Sequence, residues 1–278
     1  MFAKGIIGRI VALTALVSGS VVIISATGAQ AAPEPLCLST SAANRATAGD
    51  GGAKALDRTL VALRRSGKSQ AEIDRTLFAE EGLRLVSTPT PRTATPMSSE
   101  SIVSVPAPSI YRDTCTSKYY AIATWKFSSL TSLKSDGGCT TTCNVGGYDV
   151  FAISFSRNVS SVSGYSSTAW GASSTFPSFS LTMVSGGTDG VAARAQDRLC
   201  GGSGCGALDY NMYNGQIVYS INTPGCGELQ AFSEYTHTWS TAQITGIGVG
   251  IDSISVSWNP TDKGWDKGSQ PSNVVRPC

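Results

Sequence analysis

At 278 residues the chain has room for one large or two modest domains, and a 41% hydrophobic composition supplies a core and argues against a disordered chain. The formal charge is +2, and two cations, Lys4 and Arg9, lie in the first ten residues, which leaves basic and acidic residues equal in number beyond them. A balanced chain with no basic stripe interleaved with aromatics argues against a nucleic-acid partner.

Residues 1–31 read as a secretory signal peptide. Lys4 and Arg9 form its basic start, Val11 to Ala26 its apolar stretch, and Ala29-Gln-Ala31 a small-residue cleavage site. With no second long apolar run, the mature chain is expected to be secreted, extracellular and free of the membrane. In an oxidising compartment the eight cysteines, Cys37, Cys115, Cys139, Cys143, Cys200, Cys205, Cys226 and Cys278, are expected to form disulfides. Their spacing is wrong for a structural metal site and the chain has one histidine, so no metal and no cofactor are expected.

Residues 32–86 read as a helical N-terminal segment or pro-region. Leu56, Leu60 and Leu63 recur at helical spacing before Gly67; Ser69-Gln-Ala-Glu72 has the form of a capping box opening a second helix with Ile73, Leu77 and Phe78, ended by Gly82. Isolated helices shorter than about 12–15 residues are marginal in water, so this hairpin must dock or stay loose. Residues 87–110 are a Ser/Thr/Pro-rich linker and the clearest boundary, within which Ile102 to Val105 could form a short strand added to a sheet edge.

Residues 111–278 hold every Trp and Tyr and read as a disulfide-stabilised β domain. Alternating apolar sets occur at Tyr119 to Phe127, Phe151 to Phe155, Phe179 to Met183 and Ile217 to Ile221. Asn214-Gly215 is the strongest hairpin-turn signal, and Val191 to Leu199 could hold one helical turn. The register of Ile247, Val249 and Ile251 passes to Ile254, Val256 and Trp258 through a bulge or turn at Asp252-Ser253. The fold class is mainly β: an antiparallel β-sandwich or small barrel preceded by a short helical hairpin. Seven cysteines follow the linker, so Cys37 is expected to cross it, unless a thiol stays free or pairs between molecules.

No catalytic constellation stands out. His237 is the sole candidate base and lacks a recognisable nucleophile motif. Glu228 and Glu234 on one strand would lie about 20 Å apart against the 5–10 Å that a glycosidase pair needs. Asp149, Asp189, Asp209 and Asp252 fall at strand ends or turns, and Asp262 and Asp266 in a solvated turn rather than a Ca²⁺ loop. Tyr235, His237 and Trp239 share one strand face, which is a stacking surface for sugar rings if exposed and core if buried. The function expected is a secreted, non-catalytic binding module for a surface glycan or a secreted protein. The alternatives are a hydrolase made as a precursor with residues 32–110 as pro-region, and a structural or inhibitory subunit of an extracellular assembly.

Overall fold

Why the N-terminal helices need the rest of the chain is visible in the computed structural model, which describes residues 44–45, 47–87, 102–130, 141–201, 208–240, 242–259 and 263–278. α1 (Ala53–Arg65) and α2 (Gln70–Glu81) form where the apolar spacing predicts them. Ser69 accepts from the Glu72 amide while the Glu72 side chain accepts from the Ser69 amide, and Gly82 ends α2 in the left-handed region at φ 68. Leu56, Leu60, Ile73 and Leu77 are buried against Tyr111, Tyr120, Ile122 and Val218 of a β-sheet. Each such side chain contributes about 2 kcal/mol when covered, which explains why two short helices persist.

The strands are β1 (Leu83–Ser87), β2 (Val103–Ser104), β3 (Ser109–Asp113), β4 (Tyr119–Phe127), β5 (Thr142–Phe155), β6 (Ser161–Trp170), β7 (Phe179–Ser180), β8 (Thr182–Gly187), β9 (Gly190–Cys200), β10 (Asp209–Tyr210), β11 (Asn214–Thr223), β12 (Ala231–Thr238), β13 (Gln243–Gly250), β14 (Ser253–Asn259) and β15 (Gly264–Gly268). The first sheet runs β1-β3-β4-β11-β6-β7, with β2 also on β4; the second runs β10-β9-β5-β12-β15, with β8 also on β9. Every pairing is antiparallel. Ala121, Ala123, Trp125, Phe127, Ile217 and Tyr219 of the first sheet meet Phe151, Ile153, Phe155, Val191, Ala193 and Tyr235 of the second in one core. The protein is therefore a mainly β sandwich with the helical hairpin on the outer face of its first sheet. No helix among the described residues is long and apolar enough to cross a membrane.

Several local expectations change in the tertiary setting. Val191 to Leu199 is part of β9: pairing with β5 along almost its whole length outweighs the helical preference of its alanines. Asn214-Gly215 is no turn but the start of β11, between Lys126 and Trp125 on one side and Trp170 and Ala169 on the other. Gly215 is needed for close approach, since a Cβ there would lie 2.0 Å from the Trp125 ring. Phe179 to Met183 is split at Leu181, where the chain leaves the first sheet as β7 and enters the second as β8.

The register change after Ile251 is taken up by a hairpin turn with Asp252 at φ 52, and Val249 faces Ile254 as Ile247 faces Val256. This hairpin covers Val150, Ala152 and Ala192 on the outer face of the second sheet rather than entering the main core. Ile102 to Val105 does supply a strand, β2, and the edge it joins is β4 of its own chain. The segment 88–101, most of the expected linker, lies outside the described residues, as do the signal-like leader, Cys37, Cys139 and Cys205. Cys226 bonds Cys278 and fastens the C-terminal tail, and Cys115, Cys143 and Cys200 are also disulfide-bonded.

Candidate functional site

The strand face that carries Tyr235, His237 and Trp239 points inward. Tyr235 is 0% and His237 1% exposed, so the stacking surface that exposure would have made does not form; the half-buried Trp239 packs beside the imidazole with ring centroids 6.1 Å apart. The physical reason is the sandwich itself, whose β12 is flanked by β5 and β15 and roofed by Phe127, Trp125 and Trp265.

β5, β9, β10 and β12 bring five polar side chains together at that place. His237 Nδ1 lies 3.0 Å from Asp149 Oδ1 and 3.6 Å from Asp197 Oδ2. Asp149 also accepts from the Tyr210 hydroxyl at 2.7 Å, from the Tyr235 hydroxyl and from the Thr238 amide at 3.1 Å. Burial, reinforced by the Asp149 carboxylate, pushes the Asp197 carboxyl well above its ordinary range. The Tyr210 hydroxyl also lies 3.1 Å from Asp197 Oδ2, so it is shared between the two carboxyl groups. Burial, again with Asp149 next in importance, raises both tyrosine hydroxyls, which stay neutral.

An aspartate orienting an imidazole is the geometry of a general base, but here both side chains are buried, Asp149 at 0% and His237 at 1% exposure. Asp149, Asp197 and His237 also offer three ligand atoms within 4.8 Å of one another. Both Asp149 oxygens and the imidazole Nδ1 are already engaged, so a cation at those atoms would displace bonds the core already makes. The cluster is a buried polar layer of the core, bonded chiefly within itself through Asp149 and the His237 Nδ1.

An accessible concavity lies elsewhere, on the outer face of the first sheet. Register sets side chains there in cross-strand rows: Lys126, Asn214 and Trp170; Thr124, Gln216 and Thr168; Ile122, Val218 and Ser166. α1 covers the lower rows. Asp57 accepts from Ser166 and Thr168 hydroxyls at 2.6 Å each and from the Gln216 amide at 2.5 Å, and Gln216 Oε1 accepts from Arg64 Nε at 3.0 Å. The helix ends there, and the top row remains as the floor of a groove of about 760 Å³.

Arg64, Arg65 and Lys68 form one wall of this groove; Gly171 to Ser174 form the other; Ser104, Pro106 and Tyr213 complete it. The second wall is held rigidly. The buried carboxylate of Asp209 accepts from the Ala172 and Ser173 amides at 2.7 and 3.2 Å and from the Ser173 hydroxyl at 2.7 Å. Desolvation lowers the Arg64 pKa, and the hydrogen bonds of its guanidinium go to two neutral amides, Gln216 and Gln70.

None of the groove residues was singled out from the sequence as a ligand site, because they come from positions 64 to 215 and only strand register unites them. Asp197 could have been found: once Val191 to Leu199 is read as a strand, its inward parity is plain. The other acidic candidates separate. Glu228 pairs with Arg276 at the surface, Glu234 sits on the outer face of β12, and Asp266 lies in β15 rather than in a turn, while Asp262 is outside the described residues.

No protein-family model matches the chain, and no curated protein matches it. Among solved structures it is similar to the collagen-binding domain of a Staphylococcus aureus adhesin, at 7% identity and a TM-score of 0.26, over 62% of this chain and 99% of that one. A likeness that faint carries neither a partner nor a mechanism to this chain.

Proposed function

We propose that this chain is a secreted, non-catalytic β-sandwich module that binds a surface glycan in the groove beside α1. The observation that carries the reading is the top row of the first sheet beyond the end of α1, with exposed Lys126, half-buried Asn214 and the edge of the largely buried Trp170, flanked by hydroxyl-bearing and cationic walls. A concavity of about 760 Å³ has the size of small-ligand and oligosaccharide sites, whereas protein partners favour broader, flatter surfaces. Amide, hydroxyl and cationic groups fixed on a rigid sheet suit the hydroxyl-rich edge of a sugar chain. The leader in residues 1–31 supports the extracellular setting.

The test is titration of the mature chain with a panel of neutral and acidic polysaccharides, followed by tryptophan fluorescence, since Trp170 lies at the groove floor. Saturable quenching that Asn214→Ala weakens is the expected result. Absence of saturable binding to every polysaccharide would end the reading, and release of new reducing ends during incubation would turn it towards the hydrolase.

A further inference from the structure

Electrostatics carries the groove further than its shape does. Beyond its first ten residues the chain is balanced in charge, yet four cations, Arg64, Arg65, Lys68 and Lys126, line this one concavity, and among the described residues no carboxylate does. Their origins differ. Arg64 and Arg65 end α1, where the helix dipole favours cations; Lys68 follows in the turn; Lys126 comes from β4. The dipole thus accounts for two of them and leaves two that converge from other elements.

Their partners are weak. Lys68 makes an exposed ion pair with Glu72 at 3.4 Å, and among the described residues no ion pair is formed by Arg64, Arg65 or Lys126. Arg64 is the informative one. Its guanidinium is half-buried and held in place by two amide oxygens, which fix its direction without cancelling its charge. Oriented by hydrogen bonds to neutral groups, and with Asp74 and Asp57 acting on it only from beyond ion-pair distance, it meets the conditions under which an oxyanion adds charge-assisted hydrogen bonds at little ordering cost.

Building on the glycan reading, we infer that the groove selects acidic polysaccharides, with a sugar-borne oxyanion seated between Arg64 and Lys126 and further acidic units along Arg65 and Lys68. Carboxylate and sulfate groups share the chemistry required. Uronate chains are the planar match for a guanidinium fork; sulfated chains match it by charge.

The experiment compares binding of the mature chain to polygalacturonate and to the same polymer fully methyl-esterified, with dextran sulfate and dextran as the sulfate arm. The acidic member of at least one pair is expected to bind about tenfold more tightly than its neutral counterpart, with an affinity that falls as salt is added. The double variant Arg65→Gln/Lys126→Gln changes two exposed side chains and should cost about tenfold in that affinity. Arg75→Gln/Arg112→Gln, which alters the net charge equally outside the groove, should cost almost nothing.

Equal binding of acidic and neutral members would overturn the inference while leaving the glycan reading intact. An equal loss in both double variants would also overturn it, by showing attraction to the whole molecule. Binding of polyglutamate in place of every polysaccharide would defeat both.

Discussion

Gly215 shows how one position can be misread locally and understood in context. Asn-Gly is a turn signal because both residues tolerate positive φ, but here the glycine lies in β11, and its missing side chain makes room for the Trp125 ring, whose indole nitrogen donates to the Met212 carbonyl at 2.8 Å. Gly215→Ala is expected to destabilise the fold by about 2 kcal/mol through overpacking, read as a lowered urea midpoint. Asp57 is the other residue on which local order depends. Asp57→Ala would leave two hydroxyls without their acceptor under α1 and remove one of the two acceptors of the Gln216 amide, which keeps the residue-57 carbonyl, at a cost of about 3 kcal/mol in the same assay. Glu234 sets a pH dependence. Burial, with Asp266 adding to it, raises its pKa to about 7, whereas the unfolded chain releases that proton near ~4.3. The folded state then binds more protons in between, so stability should fall as pH rises from about 4.5 through 7. Asp197 acts in the same direction. Glu234→Gln should flatten part of that slope, and an unchanged difference between urea midpoints at pH 5 and pH 7.5 would contradict the assignment.

At the scale of elements, the helical hairpin is the part whose status matters most. Its caps and apolar spacing were legible in residues 53–82, but whether it docks depends on the sheet face offered to it. It docks through a shared apolar cluster and through Arg45, buried to 1% exposure, which pairs with Asp113 at 3.3 Å and with the Glu81 carboxylate at the end of α2. Removing one side of such a buried pair strands a charge, which makes separation of the segment costly. Proteolytic cutting within residues 88–101 is accordingly expected to leave the two pieces together in native gel filtration, even under reducing conditions; a hairpin that elutes alone would favour the pro-region reading. Cys115 is disulfide-bonded, and its amide donates to Asp113, the same carboxylate that holds Arg45. Cys37, eight residues before Arg45, is the partner expected for it. Non-reducing peptide mapping that finds Cys37 as a free thiol or in another pair would refute this.

Across the whole molecule the two polar assemblies have opposite fates for one geometric reason. Residues on the inner faces of the sheets, including Asp149, Asp197 and His237, are closed in by the opposing sheet and bond chiefly to one another. Residues on the outer face of the first sheet are closed in only as far as α1 reaches, and the groove begins where the helix stops. By itself the sequence determined the helices with their caps and the two-residue period of most strands. These follow from nearest-neighbour chemistry, namely side-chain spacing, capping hydrogen bonds and turn residues. The tertiary structure alone decided which face of β12 is inside, that an Asn-Gly pair lies in a strand, and that Arg64, Lys126, Trp170 and Asn214 meet in one concavity. Inside and outside are properties of what packs against a strand, and long-range pairing is settled by the sum of many contacts that no short window of sequence contains.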